Sequence, residues 1–301
     1  MGGDMTKQVE GRLGIVIARW MCAAVLVGLV VSGAVGQGSP AASAVDSKTD
    51  EVILPGAAYE VATIKPHSPN AAWGGGFGTR SNAVFYTKGQ PLKYGVCNAY
   101  DVFPYQCLGG PAWFESDLYD IEANPDNVTT EQLLKLGWKE RWSVEQRMQQ
   151  ALLADRLKLK VHYETREMPI FALVVAKGGL KMHEAKPGDT YENGLKEGNG
   201  KALGAGASYV GNGKIVMQGM SMDALATQLS GTTSHIVQNK TGLPGLYNIR
   251  LQYADSDSPP PDSTAPSIYT AIEEQLGLKL KTSKGPVRVL VIDHVERPSE
   301  N

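Results

Sequence analysis

The sequence predicts an α+β protein of two related halves, each with the order strand, helix, strand, strand, helix, strand, strand. Three observations lead there. Residues 151–179 read as a helix end, a strand, a tight turn and a second strand. A shorter copy returns at residues 272–295, where Leu276 matches Leu157, Leu278 matches Leu159 and Pro286 matches Pro169. Farther upstream, residues 85–92 align with 215–222 through a shared glycine, and Tyr119-Asp120-Ile121 aligns with Tyr247-Asn248-Ile249. A pattern repeated at this scale reads as an internal duplication.

The chain opens on a targeting pattern. Arg12 and Arg19 precede an uncharged apolar run, residues 20–35, followed by small residues. That order is a secretory signal peptide, expected over residues 1–36 with cleavage before Gln37. Left uncleaved, the same run is a signal anchor. Cys22 stands at the start of the run, which argues against a lipoprotein anchor. Residues 37–57 are small and polar and read as a flexible tether.

The first repeat is expected over 58–186. Residues 59–66 alternate and open the fold as a strand. Gly74-Gly75-Gly76 marks a loop; it lacks the lysine and following helix of a phosphate-binding loop. Residues 83–87 read as a strand and 91–100 as a short helix, with proline tolerated in its first turn. Gly109-Gly110-Pro111 is a turn, and 118–123 the next strand. Residues 129–157 are helical, in two pieces broken at Gly137, with Thr129 or Thr130 as cap. Met148, Leu152, Leu153 and Leu157 form the buried stripe of that helix. Leu157, Leu159, Val161 and Tyr163 then alternate with Lys158, Lys160, His162 and Glu164, a strand with one apolar and one charged face. After the turn, 170–176 is a continuous apolar run, as in a strand covered on both faces.

Residues 187–206 are rich in Gly, Lys, Glu and Asn and read as the linker or a long loop between halves. The second repeat is expected over 207–301. Its helices are capped by Ser221 and Ser267. Its last strands flank a turn at Lys284-Gly285-Pro286.

Composition sets limits on function. The 301 residues carry a formal net charge of -2 and are 42% hydrophobic, enough for a core. With no global basic field, nucleic acid is not an expected partner. Cys97 and Cys107 are the two cysteines of the body, an even count that permits a disulfide in an oxidising compartment. Two buried free thiols, or a catalytic cysteine, are the alternatives.

Chemistry-bearing patterns are sparse. His162 and Glu164 sit two apart on one strand face, where they could supply two metal ligands or simply a solvated surface. Asp293-His294 with Glu296 suits an ion pair or an acid/base site. His67 and His235 have no partner visible in the sequence. The lysines Lys158, Lys160, Lys279 and Lys281 would form a basic stripe if the halves pack side by side. Trp73, Phe77, Tyr105, Trp113 and Phe114 fall in loops; Trp113 and Phe114 suit core caps, while Trp73 and Phe77 could bind a glycan or protein. No metal centre and no cofactor is expected.

Several segments carry a resemblance. They are residues 59–66, Gly109-Gly110-Pro111-Ala112-Trp113, residues 119–123, 151–179, Asn239-Lys240-Thr241-Gly242-Leu243 and 289–300. Together they resemble the acidobacterial soil-associated protein family, exported proteins built on a domain of unknown function. The resemblance runs from about Tyr59 to the C-terminus. It implies no catalytic residue. Related domains follow the membrane segments of antibiotic-sensing regulatory peptidases, which implies extracytoplasmic sensing or binding. Residues 134–144 form a longer segment than that family has, and Cys97 and Cys107 stand where apolar residues are expected. The repeat order also resembles the short N-terminal modules of secretins and TonB receptors, an architectural likeness only.

The expected function is an exported cell-envelope protein, periplasmic or extracellular, acting as a non-catalytic binding or protein-interaction module. Its partner would be an envelope protein or a glycan, with membrane contact only through an uncleaved signal segment. The alternative is a secreted hydrolase whose site is assembled from distant residues such as His162, Glu164 and Asp293.

Overall fold

The computed structural model describes residues 53–68, 70, 76–79, 82–192, 194–196, 200–254 and 265–299. The expected signal segment and most of the tether lie outside these residues. Among the described residues no helix is long and apolar enough to cross a membrane.

The protein is α+β. In chain order it runs β1 (Tyr59–Pro66), β2 (Gly76–Thr79), β3 (Phe85–Pro91), α1 (Leu92–Ala99), a 3-10 turn at Pro104–Gln106, β4 (Cys107–Gly109), α2 (Trp113–Ser116), β5 (Leu118–Pro125), α3 (Asn127–Lys135), α4 (Trp138–Leu157) and β6 (Lys160–Val175). It continues with β7 (His183–Glu184), β8 (Ser208–Gly211), β9 (Lys214–Met220), α5 (Met222–Thr233), β10 (Val237–Asn239), β11 (Tyr247–Gln252), α6 (Ile268–Ala271), a π-turn at Ile272–Leu276 and β12 (Leu278–His294).

The chain forms two compact units. One, the inserted unit, contains Pro169–Ser283; the other, the flanking unit, joins the described residues up to Met168 with those from Lys284 onward. The sequence boundary expected at 187–206 is not where the units divide. They divide inside β6 and inside β12, so each long strand serves both units.

This corrects the two hairpins expected from sequence. Neither the turn before Pro169 nor the one at Lys284-Gly285-Pro286 exists; β6 and β12 run through both positions. Proline has no N–H to give a ladder, but its fixed φ suits extended backbone wherever that donor is not needed. Neither strand folds back on itself, and the two are sheet neighbours instead.

In the flanking unit, an antiparallel sheet has the order β1-β5-β3-β2. Its core comprises residues such as Phe85, Phe114, Leu153 and Leu157, all 0% exposed. Leu290 and Ile292 of β12 belong to the same core, and β12 pairs with β4 in parallel, Leu290 opposite Cys107. Burying a leucine or phenylalanine side chain this completely contributes roughly 1.5–3 kcal/mol. A smaller cluster of Ala83, Leu133, Val144 and Met148 packs against Leu54 and Ala57, so the end of the expected tether is part of the fold.

The inserted unit has an antiparallel sheet in the order β7-β11-β9-β8, with β10 parallel to β6. Leu173, Ile215, Leu225, Leu229, Ile249 and Ile272, all 0% exposed, belong to its core.

The two sheets share a local device. Gly89 on β3 and Gly219 on β9 both have positive φ, 62° and 57°. Each donates its N–H to the side chain of the aligned residue, Gly89 to Asp120 at 2.7 Å and Gly219 to Asn248 at 2.9 Å. A side chain here would be strained, which explains why glycine stands in both segments.

Helix boundaries follow from capping. Ser221 and Ser267 accept from Ala224 N and Thr270 N, as expected. For α3 the cap is Asp126, not Thr129 or Thr130; its carboxylate accepts from Thr129 N at 2.6 Å. Gly137 separates α3 from α4 as expected.

Candidate functional site

An exposed surface with recognition chemistry lies in the flanking unit, where the apolar row of β6 runs out. Leu157 ends α4 and Leu159 and Val161 enter the core, so the next side chain on that face, Tyr163, sits at the core's edge and is 38% exposed. The Arg288 guanidinium of β12 lies 3.6 Å from the centre of its ring, and Tyr100 meets it edge-on at 6.5 Å. The Tyr163 hydroxyl donates to the Tyr100 carbonyl at 3.0 Å. Partial burial raises both phenols above their ordinary pKa.

The loop after α1 completes this patch. Phe103 and Tyr105 stack at 5.1 Å, and Gln106 donates through Nε2 to the Arg288 carbonyl at 2.9 Å. That bond fixes the loop to β12. The result is a half-exposed aromatic surface carrying one guanidinium. Rings and guanidinium together can stack on planar groups and sugar faces and pair with carboxylates.

The opposite face of β6 carries the predicted polar pair. His162 and Glu164 point the same way, two residues apart. Asp293 on β12 joins them: His162 Nδ1 lies 2.9 Å from both Asp293 oxygens, and Nε2 lies 3.9 Å from Glu164. Arg166 binds the other side of Glu164. The Asp293 hydrogen bond, then the attraction of both carboxylates, raises the His162 pKa. His162, Glu164 and Asp293 are thus brought together, on a face where their side chains are 51%, 35% and 44% exposed. No cluster of three or more His, Cys, Asp or Glu suited to a metal occurs among the described residues.

Other predicted residues fare differently. Trp73 lies outside the described residues, and Phe77 is on β2 opposite Thr87. Lys158 is not on a strand; it ends α4 in the left-handed region at φ 49° and lies 3.8 Å from Asp155. Lys160 starts β6 and is exposed. Lys279, in the inserted unit, pairs with Glu273 at 3.0 Å. Trp113 and Phe114 are core caps: Phe114 is 0% exposed, and Trp113 packs beside it under the Arg297 guanidinium, 4.8 Å from its ring.

The expected disulfide is corrected. Cys97 and Cys107 are free thiols, each 1% exposed. Burial, followed by the neighbouring Cys107 thiol, pushes the Cys97 thiol far up, so it is held protonated and unreactive.

His67 was missed. Its Nδ1 lies 2.7 Å from Asp120 Oδ1, the oxygen that also accepts the Gly89 N–H. Only the β1–β5 and β3–β5 registers bring these residues together. The alignment of Gly89 with Gly219 and of Asp120 with Asn248 was the available signal.

No curated protein and no solved structure matches the chain. A family model described as "Protein of unknown function (DUF3738)" matches residues 93–295, from the second residue of α1 to just past the end of β12, and includes every residue of the patch. The chain therefore belongs to the DUF3738 family.

Proposed function

We propose that the protein is an exported cell-envelope protein that works as a non-catalytic binding or protein-interaction module. The observation that carries this reading is the aromatic and guanidinium surface of Tyr100, Phe103, Tyr105, Tyr163 and Arg288. Aromatic residues and arginine are enriched in binding hot spots, the aromatics because they give large contact area with few rotors and arginine because its planar guanidinium stacks and pairs. Export rests on the cationic flank and the uncharged run at residues 20–35.

The test is capture of partners from the envelope fraction of the source cells, with wild-type protein against Tyr163→Ala and Arg288→Ala. A defined protein or glycan is retained by the wild type and lost by both variants, with the thermal midpoint of each checked alongside. Identical retention by all three proteins sinks the reading.

A second reading, a secreted hydrolase, has one observation in its favour: His162 meets Asp293 across β6 and β12, with Glu164 beside it. Turnover of an ester or glycoside panel that vanishes in His162→Gln would favour it. The half-exposed strand face argues against it, because water around the carboxylates weakens the electrostatic effects catalysis draws on.

A further inference from the structure

One corner of the flanking unit enters neither reading above. The small cluster of Ala83, Leu133, Val144 and Met148, with Leu54 and Leu136 packed against it, is bordered by large apolar side chains that face solvent. Ile53, beside Leu54, is 70% exposed; Leu134, beside Leu133, is 51% exposed; Trp138, two residues after Leu136, is 40% exposed. Each stands one or two positions from a residue of the cluster, so the three share the corner where the chain enters the fold and α3 gives way to α4. Singly scattered apolar residues need no explanation, whereas a group of large ones marks a contact surface.

Local structure puts them there. Successive helical residues diverge by about 100°, so burying Leu133 turns Leu134 outward. Glu140 Oε2 accepts from Gly137 N at 2.9 Å, which starts α4 and sets Trp138 in its first turn. Trp142, one turn on, is half-buried on the same side of the helix. The charges of the corner balance. Lys135 and Lys139 are exposed, and the Lys139 ammonium lies 5.5 Å from the centre of the Trp138 ring. Against them stand Glu140, turned back on Gly137, and Glu131, one turn before Lys135 on α3. Apolar contact, not attraction to an anionic surface, is therefore what the corner offers. Tryptophan and lysine suit the level between acyl chains and water: the indole settles among headgroups, and the lysine stem lies on apolar surface while its ammonium reaches water.

Position in the chain names the occupant. Residues 36–52 separate the uncharged run at 20–35 from Ile53. A chain of that length spans at most about 60 Å, so a run kept in the bilayer holds this corner close to the lipid surface. Tethering makes the contact intramolecular, and a small apolar surface then suffices. We propose that the corner is a second membrane contact, in which Ile53, Leu134 and Trp138 dip into the interface of the bilayer that anchors residues 20–35. The inference rests on the uncleaved form of that run. It involves no residue of the aromatic patch, so the two stand or fall separately.

The test uses the full chain in vesicles of phosphatidylcholine, a lipid without net charge. Intact mass first establishes that residues 1–36 are retained; a mass matching cleavage before Gln37 overturns the proposal. The chain has five tryptophans, so the emission of Trp138 is taken as the difference between wild type and Trp138→Phe. Lipid with brominated acyl chains quenches this difference emission by about half, as for an indole at headgroup level. In a Leu134→Asp background, which puts a charge at an exposed position, the quenching falls several-fold. Tyr163→Ala leaves it unchanged. Circular dichroism and the unfolding midpoint verify that each variant folds. No quenching, or quenching untouched by Leu134→Asp, overturns the proposal. Emission that follows the ratio of protein to lipid, with no quenching by bromine, marks a second copy of the chain as the occupant and overturns it as well.

Discussion

His162 carries the clearest titration on the molecule. Its Nδ1 contacts both oxygens of Asp293, and this bond favours the imidazolium, so the folded pKa lies above the ordinary histidine value. A raised folded pKa means the pairing contributes fully below the unfolded-state pKa and is lost as pH rises through the folded one. In an NMR titration His162 should therefore change ionisation above the ordinary midpoint, and Asp293→Asn should bring it back down. A wild-type midpoint at or below the ordinary value would contradict the geometry. Cys97 makes the opposite case, since burial holds its thiol protonated, and Cys107 is as deeply buried. An alkylating reagent should leave both unmodified in the native protein and modify both once it is denatured without reductant. Labelling of neither in denaturant would mean a bridge.

The helices were the most legible elements. The stripe Met148, Leu152, Leu153 and Leu157 is buried as its spacing predicts, because a 3.6-residue period has one solution on a globular surface. The same helix hides something periodicity does not report. Glu145 is 3% exposed on α4 and accepts from Arg141 Nε at 2.6 Å, one turn earlier. Its charge also helps burial raise the Tyr59 phenol. Arg141→Met strips a partner from a buried carboxylate and should cost on the order of 3 kcal/mol in urea denaturation. Adding Glu145→Leu should recover most of the loss, and a single variant as stable as wild type would mean Arg141 is dispensable. The strands were less legible. Pro169 and Pro286 look like breaks in a one-dimensional pattern, and only their neighbours in space show that extended backbone continues through them. The two antiparallel sheets have matching strand orders, and Gly89 with Asp120 and Gly219 with Asn248 play the same role in each.

At the scale of the molecule, the sequence yields α+β, but not the continuity of β6 and β12 or the division into units. A linker rich in glycine and charge invites a boundary; Gln218 instead ties Leu195, Leu203 and Gly204 to β9, through bonds that span 14 to 23 positions. The binding surfaces were legible only in part, since Tyr163 and Arg288 meet through sheet pairing and no local motif. The division predicts how the chain can be cut. A fragment covering 58–186 lacks Leu290 and Ile292, which its own core requires, and should not fold when expressed alone. Co-expressed with 207–301 it should be rescued, as judged by soluble yield and a cooperative unfolding transition. Independent folding of the 58–186 fragment would overturn this account. The placement of β12 also sets an order of events during synthesis. Gln106 waits for a carbonyl 182 residues downstream, and β4 waits for its partner strand until the last turn of the ribosome's work is nearly done. The inserted unit, contiguous in the chain, can close first, while the half that begins earlier is completed last. In the interval Cys107, Leu157 and Phe114 stand without their final cover, so the nascent chain is most exposed to holdases and to thiol oxidation before Leu290 emerges, and the finished protein carries no trace of it.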